Sequence, residues 1–336
     1  MPVALETQAL RGGPLPSMLS YEGIARLRLE AIQQSQQRYQ LQTNATTLMK
    51  DQWLLIDTLL LRVADQYMAG VLDLTSRGLT QTIPNLGVAA SMYQTVTRMD
   101  PALTDMRMSA AGNNQRLSLA PHLVPLPFAY EDWEFDLTEV EAMQRNGGTL
   151  DTAYAEEAMR SVDEKFEDWL FNGAPDHVYD GLTIYGYRTH PQRITGSGAT
   201  WTDPDNIYPT ILAMINALIG IQRPGPYALY MNVLQYGQMF AMEGVDRAWN
   251  MFRRIQESFP QIVSIKPIYA MPAGQLVLVE LQRRTIDLAI KMDPANVPWD
   301  IMGGLAQHVR VIGSIVPRIK VDGSDKVGVV HYSGVA

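Results

Sequence analysis

Six carboxylates, Glu156, Glu157, Asp163, Glu164, Glu167 and Asp168, fall within one short stretch, and such a density of oxygen ligands could hold a hard cation. Arg160 and Lys165 stand among them, and opposite charges three or four residues apart are the ordinary pattern of a solvated helix face, so no metal site is assigned. Asp203-Pro204-Asp205 places two carboxylates ahead of an apolar run, which reads as a helix cap rather than a cation loop. The histidines, His122, His177, His190, His308 and His331, are scattered without ligand spacing, and no His-Glu-x-x-His, Gly-x-Ser-x-Gly or Walker sequence occurs. Gly196-Ser197-Gly198 is followed by Trp201 where a dinucleotide fingerprint needs glycine. With zero cysteines, disulfides, thiolate metal sites and sulfur nucleophiles are excluded. The expectation is a protein that is not an enzyme and carries no cofactor.

Binding by charge is constrained as well. The formal net charge of −8 argues against a broad basic face gripping nucleic acid. The start, Met1-Pro-Val-Ala-Leu-Glu-Thr7, lacks a basic patch before an apolar core, so no signal peptide is expected. The longest uncharged run, Pro224 to Met242, contains Pro226, Asn232, Gln235, Gly237 and Gln238 and is not read as a membrane span.

The 336 residues, 46% hydrophobic, can build a large core, and the periodicities say how. Residues 1–44 form a thin-striped arm, with Ile24, Leu27, Ala31 and Ile32 at helical spacing, which has too little apolar surface to order itself alone. Lys50 to Leu74 is predicted as one amphipathic helix. From Arg77 to Pro127, glycines and prolines punctuate a long two-stranded loop with β-prone runs at Tyr93–Thr97 and Arg116–Leu119, marginal in isolation. Trp133, Phe135 and Leu137 alternate as a half-buried strand, and a short helix is expected after it. Thr149 and Asp151 offer caps to a helix over Leu150–Phe171, which Asn172-Gly173 ends; 22 residues would span about 33 Å. After a loop over Gly181–Trp201, helices are predicted at Tyr208–Ile221 and Leu234–Phe259. Strands are predicted at Tyr227–Met231, Ile262–Ile268, Gln275–Leu281, Thr285–Lys291, Val309–Val321 and Val327–Tyr332, with Pro317 marking an edge or bulge. The fold class is α+β.

The order of these parts, together with Pro127-Phe-Ala-Tyr-Glu-Asp-Trp-Glu-Phe-Asp-Leu137, Gly147-Gly-Thr-Leu-Asp-Thr152, Glu164-Lys-Phe-Glu-Asp-Trp-Leu-Phe-Asn-Gly173 and Gly181-Leu182, resembles the Hong Kong 97-type capsid fold of tailed-phage major capsid proteins and encapsulin shell proteins. Gln52-Trp53, Ile56-Asp57 and Gly225-Pro226-Tyr227-Ala-Leu229 are similar to encapsulin segments, and the likeness spans roughly residues 50–320. It implies an N-terminal arm over 1–49, a P-domain helix over 50–76 and an E-loop over 77–132. The P-domain with its spine helix (about 150–171) follows over 133–202, then a mainly A-domain segment over 203–300 and a return to the P-domain over 301–336. The arm residues Ile24, Leu27, Arg28 and Tyr39 and the loop residues Met99, Asp100, Met106, Arg107, Met108 and Arg116 are then expected between subunits, while Met159, Val162, Phe166, Trp169 and Leu170 form the spine-helix core.

Function would follow as assembly: self-association into pentamers and hexamers of an icosahedral shell, expected to be a phage capsid in the virion, built in the host bacterial cytoplasm around double-stranded DNA. An encapsulin compartment enclosing a cargo enzyme is the alternative; the longer arm and loop tilt the reading to the virus. Contact with packaged DNA would be weak and non-specific, since Arg11, Arg26, Arg28 and Arg38 barely outnumber Glu6, Glu22 and Glu30. The resemblance leaves room for separate scaffolding, portal and decoration proteins, because no large pro-segment is expected ahead of the fold; no membrane partner is expected. Deleting Thr95–Leu119 is expected to leave a soluble but unassembled subunit. Some relatives lock the shell with an isopeptide bond from an E-loop lysine. Here the lysines are Lys50, Lys165, Lys266, Lys291, Lys320 and Lys326, leaving none in 51–164. Boiled assemblies should therefore run as one band near 37.5 kDa on a denaturing gel, and a covalent ladder would contradict this.

Overall fold

The computed structural model describes residues 50–96, 102, 104, 106, 118–136, 152–241, 250–301 and 306–335. All of them lie in one unit, Gln42–Ala336. The arm and its residues Ile24, Leu27, Arg28 and Tyr39, the loop residues Met99, Asp100, Arg107, Met108 and Arg116, and the short helix expected after Leu137 lie outside the described residues.

The first helical stretch forms because Ile56, Leu59, Leu60, Val63 and Ala64 recur on one face, all buried. It is two helices rather than one: α1 (Lys50–Tyr67) and α2 (Ala69–Ser76) are separated at Met68, whose φ of −105° and ψ of 45° leave the helical region. The break leaves α2 with unsatisfied N–H groups, and Glu167 from another helix supplies the acceptors. Its carboxylate takes Gly70 N–H at 2.8 Å and Val71 N–H at 3.2 Å. Gly70 is needed at this crossing, since a Cβ there would stand 2.8 Å from the Phe171 ring.

The spine helix, α3 (Ala153–Phe171), starts three residues later than expected and stops on Asn172 and Gly173. Gly173 donates to Asp168 O and Trp169 O from a left-handed φ of 73°, where a Cβ would also meet Ile184 O at 2.5 Å. Met159, Val162, Phe166, Trp169 and Leu170 are buried on a helix packed against α1 and across the sheet containing β4 (Ala129–Asp136) and β12 (Ala306–Ile319). Asp163 and Glu167 correct the expectation of a solvated acidic face, since both are buried. They sit on the apolar arc, one turn before Glu167 and Leu170 respectively, and Glu167 is held there by the α2 amides.

Two sheets flank this helix system. The four-stranded sheet runs β1 (Thr80–Thr82), β11 (Ile286–Ile301), β12 (Ala306–Ile319), β4 (Ala129–Asp136), with β1 parallel to β11 and the other pairs antiparallel. Pro317 lies beyond Gly313, where β4 pairing stops, so its missing N–H removes no bond to a second neighbour. The five-stranded sheet runs β7 (Ile194–Ser197), β13 (Val329–Ser333), β10 (Gln275–Glu280), β8 (Tyr227–Asn232), β9 (Ile262–Ile268). Residues 301–336 thus divide between both sheets. β5 (Ala174–Tyr179) and β6 (Leu182–Ile184) pair separately, so the stretch read as a loop carries two short strands, β6 and β7.

β8 is continuously apolar because both faces are covered. Tyr227, Leu229 and Met231 join the core under α4 (Ile207–Gly220), while Tyr230 packs edge-on against Phe171 and donates to Asp73 at 2.9 Å. Asp203 accepts from Asp205 N–H just ahead of α4, a cap and not a cation site. The predicted helix over Leu234–Phe259 is replaced by α5 (Val233–Gln238) and α6 (Met251–Ser258). The chain doubles back so that Phe252 N–H reaches Met239 O at 2.8 Å, whereas a straight helix would separate them by about 20 Å. Gly237 weakens the first segment, and Asn250, accepting from Arg253 N–H, starts the second.

Candidate assembly interface

Between β1 and β4 the chain leaves the body as a ribbon of β2 (Ala90–Val96) and β3 (Leu119–Pro125), paired in antiparallel register from Ala90↔Pro125 to Val96↔Leu119. Period-2 alternation gives it two unlike faces. Ser91, Tyr93 and Thr95 turn inward: Tyr93 stacks on His122 at 5.0 Å and donates to Ile319 O, and Thr95 donates to Val321 O at 3.0 Å. Met92, Gln94 and Val96 turn outward opposite Leu123, Pro121 and Leu119. Met92, Val96, Leu119 and Leu123 are each about half exposed, at 54, 47, 56 and 48%. Four large apolar side chains thus line the solvent face of a two-stranded ribbon with no second layer beneath them among the described residues. An exposed apolar face of this kind is a candidate surface for a partner.

The root of the ribbon is fixed by a buried charge network. Arg318, 1% exposed on β12, donates to Asp287 on β11 through Nε at 2.8 Å and Nη2 at 2.6 Å, to Ser91 on β2 at 2.7 Å, and to Gln81 on β1. Lys320 adds a third contact to Asp287 at 2.7 Å. One guanidinium therefore ties three strands of the sheet, β1, β11 and β12, to the first residues of β2 in the ribbon. Replacing Arg318 by Met should lower stability by about 3 kcal/mol, because Asp287 stays buried with only Lys320 against it. A urea midpoint measures this. Adding Asp287→Leu should recover most of the loss, and a neutral single variant would show that the network holds nothing.

Of the residues expected between subunits, Met106 is described, and its side chain is fully exposed. The outward ribbon residues Met92, Val96, Leu119 and Leu123 were not singled out in the sequence, although their alternation with Ser91, Tyr93 and Thr95 carries the signal. No group of three or more metal-ligating side chains occurs among the described residues. His190 and His331, each held down to about 4 by burial and then by the Arg193 charge, both neighbour Arg193, a cation, and not a ligand set. Among the described residues no helix is long and apolar enough to cross a membrane.

Comparison with known proteins gives this geometry a setting. A family model described as "Encapsulating protein for peroxidase" matches residues 40–295, about three quarters of the chain. Among solved structures, the virus-like particle of Pyrococcus furiosus is similar over 83% of this chain and 98% of its own, with 14% identity and a TM-score of 0.58. The capsid of Myoviridae phage XM1 is similar over 77% of this chain and 90% of its own, at 12% identity and a TM-score of 0.58. Mycobacterium phage Cain gives 76%, 88%, 11% and 0.56 in the same order. The fold is therefore the Hong Kong 97-type capsid fold in its mixed α+β form.

Proposed function

Because the chain belongs to the encapsulating-protein family, as the match over 40–295 establishes, we propose that it is the shell subunit of a protein compartment that encloses a cargo enzyme of the peroxidase kind. The chain is a structural protein and not an enzyme. The family match carries the proposal, and it reverses the order of the two readings drawn from the sequence: the compartment now stands ahead of the phage capsid. The long arm and loop had favoured the virus, but likeness to phage capsids at 11–12% identity speaks to the fold alone.

The ribbon supports self-association independently of the family. Its outward apolar face and buried root suit a projection that packs on a neighbouring copy, and closed symmetry repeats that contact around the shell. The arm residues Ile24, Leu27, Arg28 and Tyr39 and the loop residues Met99, Asp100, Met106, Arg107, Met108 and Arg116 belong to the same proposed contacts. Assembly in the cytoplasm follows from the compartment reading.

Light scattering of the purified chain tests assembly: a mass many times 37.5 kDa is expected, and a particle of 37.5 kDa would overturn it. Contents test the cargo. A co-purifying enzyme inside closed particles is expected, whereas nucleic acid of genome length would return the protein to the capsid reading.

A further inference from the structure

Beside the ribbon root lies a cleft of about 590 Å³, bounded by the inner edge of β2, the C-terminal turn of α4 and the turn running from Lys320 to Lys326. Its walls carry five cations, Arg223, Arg283, Arg284, Lys320 and Lys326, against one lining carboxylate, Asp322. Two further carboxylates lie buried behind the wall. Glu280 takes Arg223 at 3.0 Å and Arg284 at 2.7 Å, and Asp287 takes Lys320 at 2.7 Å. Counting these, positive charge remains in excess by two on a chain whose overall charge is −8.

The excess is located on particular groups. Arg283 spends Nη2 on the backbone carbonyls of Gly78 and Thr80, at 3.3 and 3.0 Å, so no carboxylate meets its charge among the described residues. The Lys326 ammonium has no carboxylate within ion-pair distance among them either, although its backbone N–H donates to Asp322 Oδ1 at 3.0 Å. The turn presenting Lys326 is pre-organised: Asp322 Oδ1 also accepts Ser324 N–H at 2.8 Å, Asp322 Oδ2 pairs with Arg223 at 3.1 Å, and Asp325 is held at a φ of 55°. Gln222, on the opposite wall, is likewise held in the left-handed region, at a φ of 62°. Two non-glycine residues kept in that conformation around one polar cleft mark a site whose shape is over-determined by its surroundings.

We propose that this cleft binds a small phosphate-bearing anion, with Arg283 and Lys326 as its principal charge partners and Arg284 as an additional donor. The volume fits a phosphate ester better than a bare ion. Planar guanidinium groups suit phosphate oxygens. Because Thr95 on β2 donates to Val321 in the same wall, an anion there would draw the ribbon root and the 320–326 turn together.

The test uses the full chain as purified. Inorganic phosphate and adenosine monophosphate are titrated calorimetrically at constant ionic strength, with chloride as the reference. Binding of phosphate or of the nucleotide above chloride is expected, and whichever binds more tightly identifies the free anion or the ester as the source. Arg283→Met with Lys326→Met should weaken that binding at least tenfold, and Lys326→Met alone should weaken it while leaving the urea midpoint unchanged, since that side chain is exposed. Lys326→Glu alone should weaken it further than Lys326→Met. Indistinguishable heats for phosphate, nucleotide and chloride, or equal binding by the double variant, would overturn the assignment.

Discussion

Met92→Glu and Leu119→Glu, made singly, are each expected to yield a folded subunit that no longer forms shells. Both side chains point outward from the ribbon and are about half exposed, so neither is needed to hold the subunit's own core. Burying the remaining half of Met92, Val96, Leu119 and Leu123 on a neighbour is worth roughly 1 kcal/mol apiece at about 25 cal/mol per Å². Together this is about 4 kcal/mol for each contact, or roughly a thousandfold in association. A glutamate removes one of these contributions and adds the desolvation of a carboxylate, which outweighs what the other three supply. Closed symmetry repeats the loss at every contact, so the effect on assembly is far larger than on the fold. Size-exclusion chromatography and electron microscopy read the assembly, and circular dichroism reads the fold. Met92→Leu, which keeps the apolar face, should assemble normally. Shells of normal size from either glutamate variant would remove the ribbon from the interface.

What the sequence disclosed and what it hid follow from the range of the forces involved. The α3 stripe at 159, 162, 166, 169 and 170 was legible because helix periodicity is local, and the β8 run because both its faces are buried. Asp163 and Glu167 lay in the same arc, but charge beside Arg160 and Lys165 read as solvent exposure. Only the broken helix at Met68, 97 residues from Glu167 at Gly70, explains why a carboxylate belongs inside. The ribbon repeats the lesson. Its first strand was visible as the run Tyr93–Thr97, whereas β3 begins at Leu119, where the run Arg116–Leu119 was expected to end, and which face turns outward is decided by Ile319, Val321 and Arg318, more than 220 residues away along the chain. The predicted helix over 234–259 failed for a third reason: Met239, Met251 and Ile255 share one core that a straight helix could not fill. Function was the least local of all. Arm and loop lengths pointed to a virus, while the family match over 40–295 supports a compartment.

The buried carboxylate of Glu167 makes the stability of the subunit depend on pH in a way that one substitution should expose. Burial pushes it up to about 7 from an ordinary 4.5, against the opposing pull of the Gly70 and Val71 amides and the Lys266 charge. Between those values the folded chain binds a proton that the unfolded chain has released, so this stabilisation is full below about 4.5 and is lost as pH rises through 7. His190 and His331 act oppositely. Held near 4 by burial and by Arg193, they are neutral in the folded chain where the unfolded chain is protonated, and their stabilisation, present above about 6.5, is lost as pH falls towards 4. The nearby Tyr187 and Tyr230 hydroxyls are pushed well above their ordinary range by burial and do not titrate in this window. Between about pH 4.5 and 6.5 these two imidazoles therefore oppose the Glu167 carboxyl, and stability should rise by about 1 kcal/mol per pH unit, less to the extent that water screens the half-buried His331 and that burial likewise raises the Asp57 carboxyl. Glu167→Gln keeps an oxygen for the Gly70 amide and removes the titration. Its unfolding free energy, measured by urea at several pH values, should climb about twice as steeply across the same window. An unchanged slope would mean that Glu167 does not hold its proton in the folded chain.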